Sequence, residues 1–281
     1  MTQSAERQSE CMTLGLIVIA WLYARGWLRV RPTSVETDAG WRAAAFLFGL
    51  LLIWIATASP LASGDAHLLT AHMVQHLLLM SVAPPLVWLG EPVRLLLYAL
   101  PRRLGAPAVP TLCQRTSMQR LGGLLGHPVV CWLASTAALV GWHVPPALTL
   151  GMQSPTWHGI EQASFLAAGL LFWWPVIQPW PTTSPEPQWS TVLYLFLATL
   201  PCDILSGFLV FSERVAYPVY LSAHRHSSLS VLDDQQYAGA LMWTAVTIIY
   251  LVAGVIVTTR LLSGHKSCST GRPPEFQRLS L

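Results

Sequence analysis

Long apolar segments separated by polar stretches set the pattern of this chain. Seven of them are long enough to cross a bilayer as α-helices, because about 20 apolar residues cover its hydrocarbon core. The pattern predicts an all-α, polytopic membrane helical bundle in which one domain, residues 12–262, holds about seven transmembrane helices. The predicted spans are residues 12–30, 41–61, 67–83, 127–146, 157–178, 189–211 and 238–262.

Four stretches depart from this pattern. Residues 1–11 are polar and are predicted to form a loose N-terminal segment, and the polar tail 263–281 is predicted to be disordered. The Pro84-Pro85 pair is expected to break or kink the third span, since proline lacks a backbone N–H. The apolar stretch 86–100 is interrupted by a Gly-Glu-Pro sequence, so we predict a re-entrant or interfacial element there.

The composition fits a membrane location. Of the 281 residues, 53% are hydrophobic and only 10% are charged, whereas soluble domains carry about 25% charged residues. The 13 tryptophans are also typical, because Trp concentrates at membrane–water interfaces. The net charge of +3 is small and indicates no nucleic-acid partner. The five cysteines are scattered without a CxxC pair, which indicates neither a disulfide framework nor a thiolate zinc site.

The basic residues predict an orientation. With seven spans, only Arg7, Arg214 and Arg225 fall on the face that holds the N-terminus, and the rest of the 16 basic residues fall on the other face. Cytoplasmic segments are enriched in Lys and Arg. The N-terminus is therefore predicted to lie outside and the C-terminus in the cytoplasm.

Histidines gather at one end of this predicted bundle. His72 and His76 are four residues apart, so on a helix they share one face about 6 Å from each other, and Met80 continues the stripe by one turn. Such a set can ligate Cu(I) or Zn(II), although histidines in membrane helices also form interhelical hydrogen bonds. Convergence from four parts of the chain favours a metal site. The histidines on the predicted outer side are His67, His72, His76, His143, His158, His224 and His226.

Three carboxylates could support these histidines. Glu161 lies one turn below His158, where it would either orient an imidazole or ligate a metal directly. Asp203 lies within the sixth span next to a proline, and both an interhelical hydrogen bond and a role in ion transfer would explain it. Asp234 precedes the first turn of the last span, where a helix cap is the simplest role.

Five ordered stretches carry a family resemblance. They are SPL (59–61), HMVQHLLLMSVAPPLVWLGEP (72–92), GWHVPPAL (141–148), LLFWWPV (170–176) and DDQQYAGALMW (233–243). Together they resemble the CtaG family of multi-pass cytochrome c oxidase assembly factors.

The resemblance implies a role and a set of residues. It implies a bacterial plasma-membrane protein that serves the maturation of a haem-copper oxidase by supplying copper to the buried copper centre of an oxidase subunit. Gln162 stands where relatives often carry a second histidine, which would leave this site with fewer imidazoles. The family's histidines correspond to His72, His76, His143 and His158, and its acidic-Gln element corresponds to Asp234 and Gln235.

The resulting hypothesis is an outward-facing copper site in an assembly factor, not an enzyme. Cu(I) would be captured near His67 and passed to His72, His76 and Met80, and an oxidase subunit would then take it within the bilayer. A seven-span zinc hydrolase is the main alternative. A haem protein with axial histidines and a purely structural subunit are further ones. The hydrolase would use Asp65, His72, His76, His143 and Glu161.

Overall fold

The computed structural model describes residues 2–30, 39–59, 68–99, 123, 126–177, 188–222 and 229–269. The regular structure within these ranges is helical and contains no β-strand. A π-helical turn, Leu78–Val82, joins α3 to α4, and a 3-10 turn, Pro218–Leu221, lies between α9 and α10. The α-helices are α1 (Thr2–Val30), α2 (Ala39–Ala58), α3 (Leu69–Leu77), α4 (Ala83–Leu89), α5 (Pro92–Ala99), α6 (Pro128–His143), α7 (Pro145–Gln153), α8 (Pro155–Ile177), α9 (Gln188–Phe211) and α10 (Val231–Ser269).

Six helical segments in the described part of the chain are long and apolar enough to cross a membrane. The pair α6 and α7, bent by 75°, makes a seventh if its two halves count as one span. The predicted all-α bundle of about seven spans is therefore confirmed, while the orientation of its termini stays a prediction. The six segments are Ser9–Arg29, Gly40–Ala58, Leu69–Leu89, Pro155–Ile177, Trp189–Phe211 and Val231–Ser263.

Both ends of the described chain are more helical than the sequence pattern suggests. Helix α1 begins at Thr2 and so includes the polar segment that we expected to be loose. Helix α10 continues to Ser269, beyond the predicted end of the last span at residue 262. No proline interrupts either stretch, so the backbone hydrogen bonds of each span can continue past its apolar part.

The third span does not end at the Pro84-Pro85 pair. It runs from Leu69 to Leu89, and the π-turn lies directly before the two prolines. A proline offers no N–H and its ring crowds the carbonyl four residues earlier. A π-turn bonds to residue i+5 instead, which accommodates both effects without ending the helix. Residues 86–89 therefore belong to this span rather than to a separate element.

A tight turn then folds α5 back onto α1. Glu91 adopts a positive φ of 49°, in the left-handed region that few side chains favour, and its carboxylate pairs with Arg42 on α2. The Tyr23 hydroxyl donates to the Gly90 carbonyl at 2.8 Å. Helix α5 has eight residues, too few to cross a bilayer. The re-entrant or interfacial character of this segment stays a prediction.

The third span occupies the centre of the bundle. In the most apolar 18-residue stretch of this span, 56% is buried inside the protein, whereas in the first span the corresponding share is 11%. It packs against α2 on one side and against α8 and α10 on the others. Polar side chains on this span therefore face other helices rather than lipid.

Close approach of α8 to the third span depends on Gly169. A Cβ added there would lie 2.6 Å from the Met80 carbonyl oxygen and 2.8 Å from the Met80 Cα. Both are backbone atoms, so they cannot rotate away. The glycine thus lets α8 bring its polar residues next to α3.

Gly169→Ala is expected to lower the free energy of unfolding by about 1–3 kcal/mol, because the methyl group must push two packed helices apart. Gly254→Ala on α10 is the matched control, since a Cβ there meets no atom within 4 Å. The control should leave stability unchanged or raise it slightly, as alanine favours a helix over glycine. Thermal unfolding in detergent measures both. Equal melting temperatures for the two variants would contradict the close packing.

Candidate metal centre

His72 and His76 form the centre of a buried polar cluster. Both project from α3 into the protein, with 0% and 5% of their surface exposed, and their ring centroids lie 4.1 Å apart. The Phe165 ring stacks on His76 with a centroid distance of 4.0 Å and closes one side. The spacing of four residues thus places the two imidazoles on one interior face, as the sequence predicts.

Glu161 on α8 completes the cluster. It is fully buried, and its Oε1 atom lies 3.3 Å from His72 Nε2 and 3.4 Å from His76 Nε2. The three side chains can each offer one ligand atom within 4.8 Å of the others. Two imidazoles and one carboxylate are a common ligand set for zinc and other transition metals.

These atoms have no other partners among the described residues. Neither contact with Oε1 has hydrogen-bond geometry, and both nitrogens of His72, both nitrogens of His76 and Glu161 Oε1 are buried without a hydrogen bond. Each unpaired buried polar group costs about 1–3 kcal/mol. A bound cation would satisfy several of them at once, so the residues present fit a metal ion.

His158 holds the other oxygen of the carboxylate. Its Nδ1 lies 3.3 Å from Glu161 Oε2, and its Nε2 accepts a hydrogen bond from the Gln162 amide at 2.8 Å. Because Nε2 accepts, Nδ1 carries the proton and donates to Glu161. This geometry makes His158 an orienting partner of the carboxylate, as outer-shell residues of metal sites often are. Its assignment as a direct ligand stays a prediction.

His143 reaches the cluster from the bend between α6 and α7. A residue before proline avoids the helical region, and Val144 is accordingly extended (φ −68°, ψ 128°) before Pro145. Helix α6 therefore stops at His143, whose ring centroid lies 5.8 Å from that of His76. The Tyr217 hydroxyl donates to the His143 carbonyl at 3.0 Å. Burial raises the pKa of Tyr217, so the phenol stays a protonated donor.

Asp234 positions the histidine helix rather than capping its own. Its Oδ2 accepts from the Leu69 N–H at 2.8 Å, and its Oδ1 accepts from the Thr70 N–H at 3.2 Å and the Thr70 hydroxyl at 2.7 Å. The first N–H groups of a helix lack intrahelical partners. A carboxylate from α10 therefore satisfies the N-terminus of α3, one turn above His72.

Gln235 performs a similar task one residue later. Its Oε1 accepts from the Ala216 N–H at 2.7 Å, and its Nε2 donates to the carbonyls of Arg214 and Leu209 at 3.2 and 3.4 Å. These bonds attach the start of α10 to the end of α9 and to the connection that follows it. The acidic-Gln pair thus acts on the start of α3 and on the connection before α10, mainly through backbone groups.

Comparison with known proteins identifies the family. The model of the family described as "Cytochrome c oxidase caa3 assembly factor" (Caa3_CtaG) matches residues 21–263 of this chain. This range includes every residue of the cluster. The chain belongs to this CtaG family. The resemblance noted in the sequence is therefore confirmed.

Sequences similar to this chain occur in mycobacteria. Uncharacterized proteins of Mycobacterium bovis and Mycobacterium tuberculosis are each 25% identical over 253 residues, which cover 87% of this chain and 37% of theirs. An uncharacterized protein of Mycobacterium leprae is 25% identical over 247 residues, covering 84% of this chain and 37% of its own. The chain thus spans little more than a third of the length of these relatives. No solved structure matches.

Of the site residues that the sequence suggested for this CtaG-family chain, not all meet. Met80 is buried and lines a cavity together with His76, one turn further into the bundle. Asp203 is half-buried beside Cys202 and makes no hydrogen bond to a described residue, and no contact links it to the imidazoles. His67 lies outside the described residues, as do His224 and His226.

Two residues of the site escaped the sequence analysis. Gly151 on α7 leaves room for the carboxylate, because a Cβ there would lie 2.7 Å from Glu161 Oε2. Met73 places its sulfur 3.3 Å from His143 Nε2. Neither residue type signals a site by itself, and only the distance between helices reveals them.

Proposed function

We propose that this protein is a multi-pass assembly factor of the bacterial plasma membrane that carries copper to a haem-copper cytochrome c oxidase. Copper is its cargo and binds at His72, His76 and Glu161. The receiving partner is the oxidase subunit that holds the buried copper centre. The family supports the oxidase as the client, and the mycobacterial relatives support a bacterial plasma membrane.

The observation that carries this proposal is a cluster of potential metal-ligand atoms that is buried inside a membrane protein and has no hydrogen-bond partners among the described residues. His72 and Glu161 are both fully buried, and their facing atoms lack hydrogen-bond partners among the described residues. A membrane protein seldom buries ionisable groups without a function for them. Imidazole suits copper and zinc, whereas calcium and magnesium prefer sites made of oxygen atoms alone.

Charge balance favours Cu(I) as the cargo. Two neutral imidazoles and one carboxylate give the cluster a charge of about −1, which is costly in a low-dielectric interior. A monovalent cation brings the sum to zero, while a divalent one leaves an excess positive charge. The residues of this chain would bind the ion, hold the carboxylate in place through His158 and exclude lipid with Phe165.

The zinc hydrolase alternative gains no support from these findings. The family match names an assembly factor. Asp65, to which that alternative gave a role, lies outside the described residues and does not bear on the choice. The structural-subunit alternative would require the imidazoles to bond to neighbouring helices. In the structure both imidazoles face Glu161 of α8 at 3.3 and 3.4 Å, but neither contact has hydrogen-bond geometry, and the second nitrogen of each ring has no hydrogen-bond partner in the described part of the chain.

The double substitution His72→Ala with His76→Ala tests the proposal. Both imidazole ligands are lost, so copper retained by the purified protein should fall to background, and oxidase activity in cells should drop with it. Copper is measured by mass spectrometry under reducing conditions, and oxidase activity is measured in membranes that express the variant at the wild-type level.

His127→Ala is the matched control. His127 is exposed at the opposite end of α6, where its Nδ1 accepts from the Val129 N–H of its own helix. This variant should retain copper and support the oxidase. If the double variant kept both its copper and its oxidase, the proposal would be wrong. Zinc in place of copper in the wild type, with amide or ester hydrolysis, would favour the hydrolase.

A further inference from the structure

A methionine and a histidine face each other beside the cluster already described. The Met73 sulfur lies 3.3 Å from His143 Nε2, and both side chains are buried, with 1% and 5% of their surface exposed. Met73 lies on α3, next to His72 in sequence, and His143 ends α6. The contact joins residues 70 positions apart in the chain.

The backbone decides which nitrogen of His143 carries the proton. His143 Nδ1 lies 2.7 Å from the Leu139 carbonyl oxygen, which can only accept a hydrogen bond. Nδ1 is therefore the protonated atom, and Nε2 of the neutral ring presents a lone pair. A second proton on Nε2 would create a buried cation, which is costly next to apolar side chains.

Two electron-pair donors thus meet without a proton between them. The thioether of Met73 has no hydrogen to give, and neither has His143 Nε2 in this tautomer. A soft metal ion satisfies both atoms, and thioether ligands select Cu(I) over harder ions. Donor atoms that share one ion lie about 3–4 Å apart when metal–nitrogen and metal–sulfur bonds are about 2.0 and 2.3 Å long. The observed distance falls in that range.

More sulfur donors continue from this pair into the bundle. A cavity with about 540 Å³ of atom-free space, its open side included, adjoins His76. Four sulfur-containing residues are among those that line it, contributed by α3, the π-turn, α9 and α10. They are Met73, Met80, Cys202 and Met242.

We propose that Met73 and His143 form a second, Cu(I)-selective site that takes copper from His76 and passes it towards the sulfur-lined cavity. The direction of transfer rests on the proposed function, whereas the existence of the site does not. Each transfer is a ligand exchange, in which one metal–ligand bond breaks as the next one forms. Copper stays Cu(I) throughout, so no oxidant or reductant is needed.

Met73→Leu tests the site with a change that conserves volume, which cores tolerate best. The full chain is purified in detergent, loaded with Cu(I) without oxygen, and examined by X-ray absorption at the copper edge. The wild type should show sulfur in the copper coordination shell, and Met73→Leu should lose it. Competition with a chromophoric Cu(I) chelator should show affinity reduced on the order of tenfold or more, and zinc affinity unchanged.

Met152→Leu is the matched control. Met152 is half-buried, its sulfur accepts a hydrogen bond from the Tyr220 hydroxyl at 3.7 Å, and it does not line the cavity. This variant should keep the wild-type copper spectrum and affinity, which shows that loss of a thioether as such has no effect.

Different results would contradict the second copper site and the proposed function. Unchanged sulfur scattering and unchanged Cu(I) affinity in Met73→Leu overturn the second site, as does a wild-type spectrum with nitrogen and oxygen alone. Neither result affects the copper and oxidase losses expected of the His72 and His76 double variant. Conversely, an unaffected oxidase in that double variant removes the delivery function, while a sulfur signal lost in Met73→Leu would still establish a Cu(I) site.

Discussion

Glu161→Gln is expected to reduce copper affinity about 100-fold or more while the protein stays folded. The substitution keeps the shape of the side chain and removes the negative charge that faces both imidazoles at 3.3 and 3.4 Å. A neutral amide is a poor metal ligand, and the cation would then remain uncompensated in the membrane interior. Copper titration of the purified protein measures the loss, and oxidase activity in cells should fall in parallel.

Removal of this carboxylate should also make the metal-free protein more stable or leave it unchanged. A buried carboxylate with an unpaired oxygen destabilises the folded state unless a cation compensates it. Thermal unfolding of the metal-free variant measures this effect. Glu213→Gln, which removes an exposed carboxylate after α9, is the control and should change neither quantity. Full copper affinity in Glu161→Gln would exclude this residue as a ligand.

Asp234→Ala is expected to lower the free energy of unfolding by about 2–4 kcal/mol. It removes the acceptors of the Leu69 and Thr70 N–H groups and of the Thr70 hydroxyl, in a place where only 1% of Asp234 is exposed. Loss of a helix cap costs about 1 kcal/mol, and buried donors left unpaired add to it. Copper binding should weaken as well, because α3 carries the two imidazoles. Thermal unfolding in detergent and copper titration measure the two effects.

The neighbouring residue provides a matched control. Asp233 is exposed, and its Oδ2 accepts from the Ser230 N–H and hydroxyl at the start of its own helix. Asp233→Ala should cost about 1 kcal/mol or less, because water can replace the lost bonds. It should not affect copper. Equal destabilisation by the two alanine variants would contradict the role of Asp234 as a cap between helices.

Asp234→Asn separates hydrogen bonding from charge. The amide keeps one oxygen acceptor but replaces the other with a donor, which would face the N–H of Leu69 or Thr70. Its stability should therefore lie between those of the wild type and Asp234→Ala. The wild-type carboxylate also opposes the partial positive charge at the N-terminus of α3.

The position of the site explains why such a costly cluster can persist. The third span is surrounded by α2, α8 and α10, so its imidazoles have no contact with lipid. Close packing at Gly169 and the cap from Asp234 hold that span in one position. The unpaired donors are thus kept in place by the rest of the fold, as strained or unsatisfied groups at functional sites usually are.

Local sequence patterns were sufficient to predict the helices and the positions of His72, His76 and His143 along them. Apolar runs of spanning length follow directly from the thickness of the bilayer, and the structure confirms an all-helical bundle with six or seven of them. The spacing of His72 and His76 places both on one helical face whatever surrounds them. The proline after Val144 ends α6 at His143, because the residue before a proline avoids helical geometry.

Contacts between helices were decided by the tertiary structure alone. The hydrogen bond that the Leu69 N–H donates to Asp234 joins residues 165 positions apart in the sequence. The contact of Met73 with His143 joins residues 70 positions apart. Such distances depend on how closely helices approach and how each is rotated about its axis, which a local periodicity does not encode. For the same reason the sequence left the role of Glu161 open between orienting an imidazole and binding a metal. Its place between His72 and His76 follows from the approach of α8 at Gly169, where the lack of a side chain brings two backbones together.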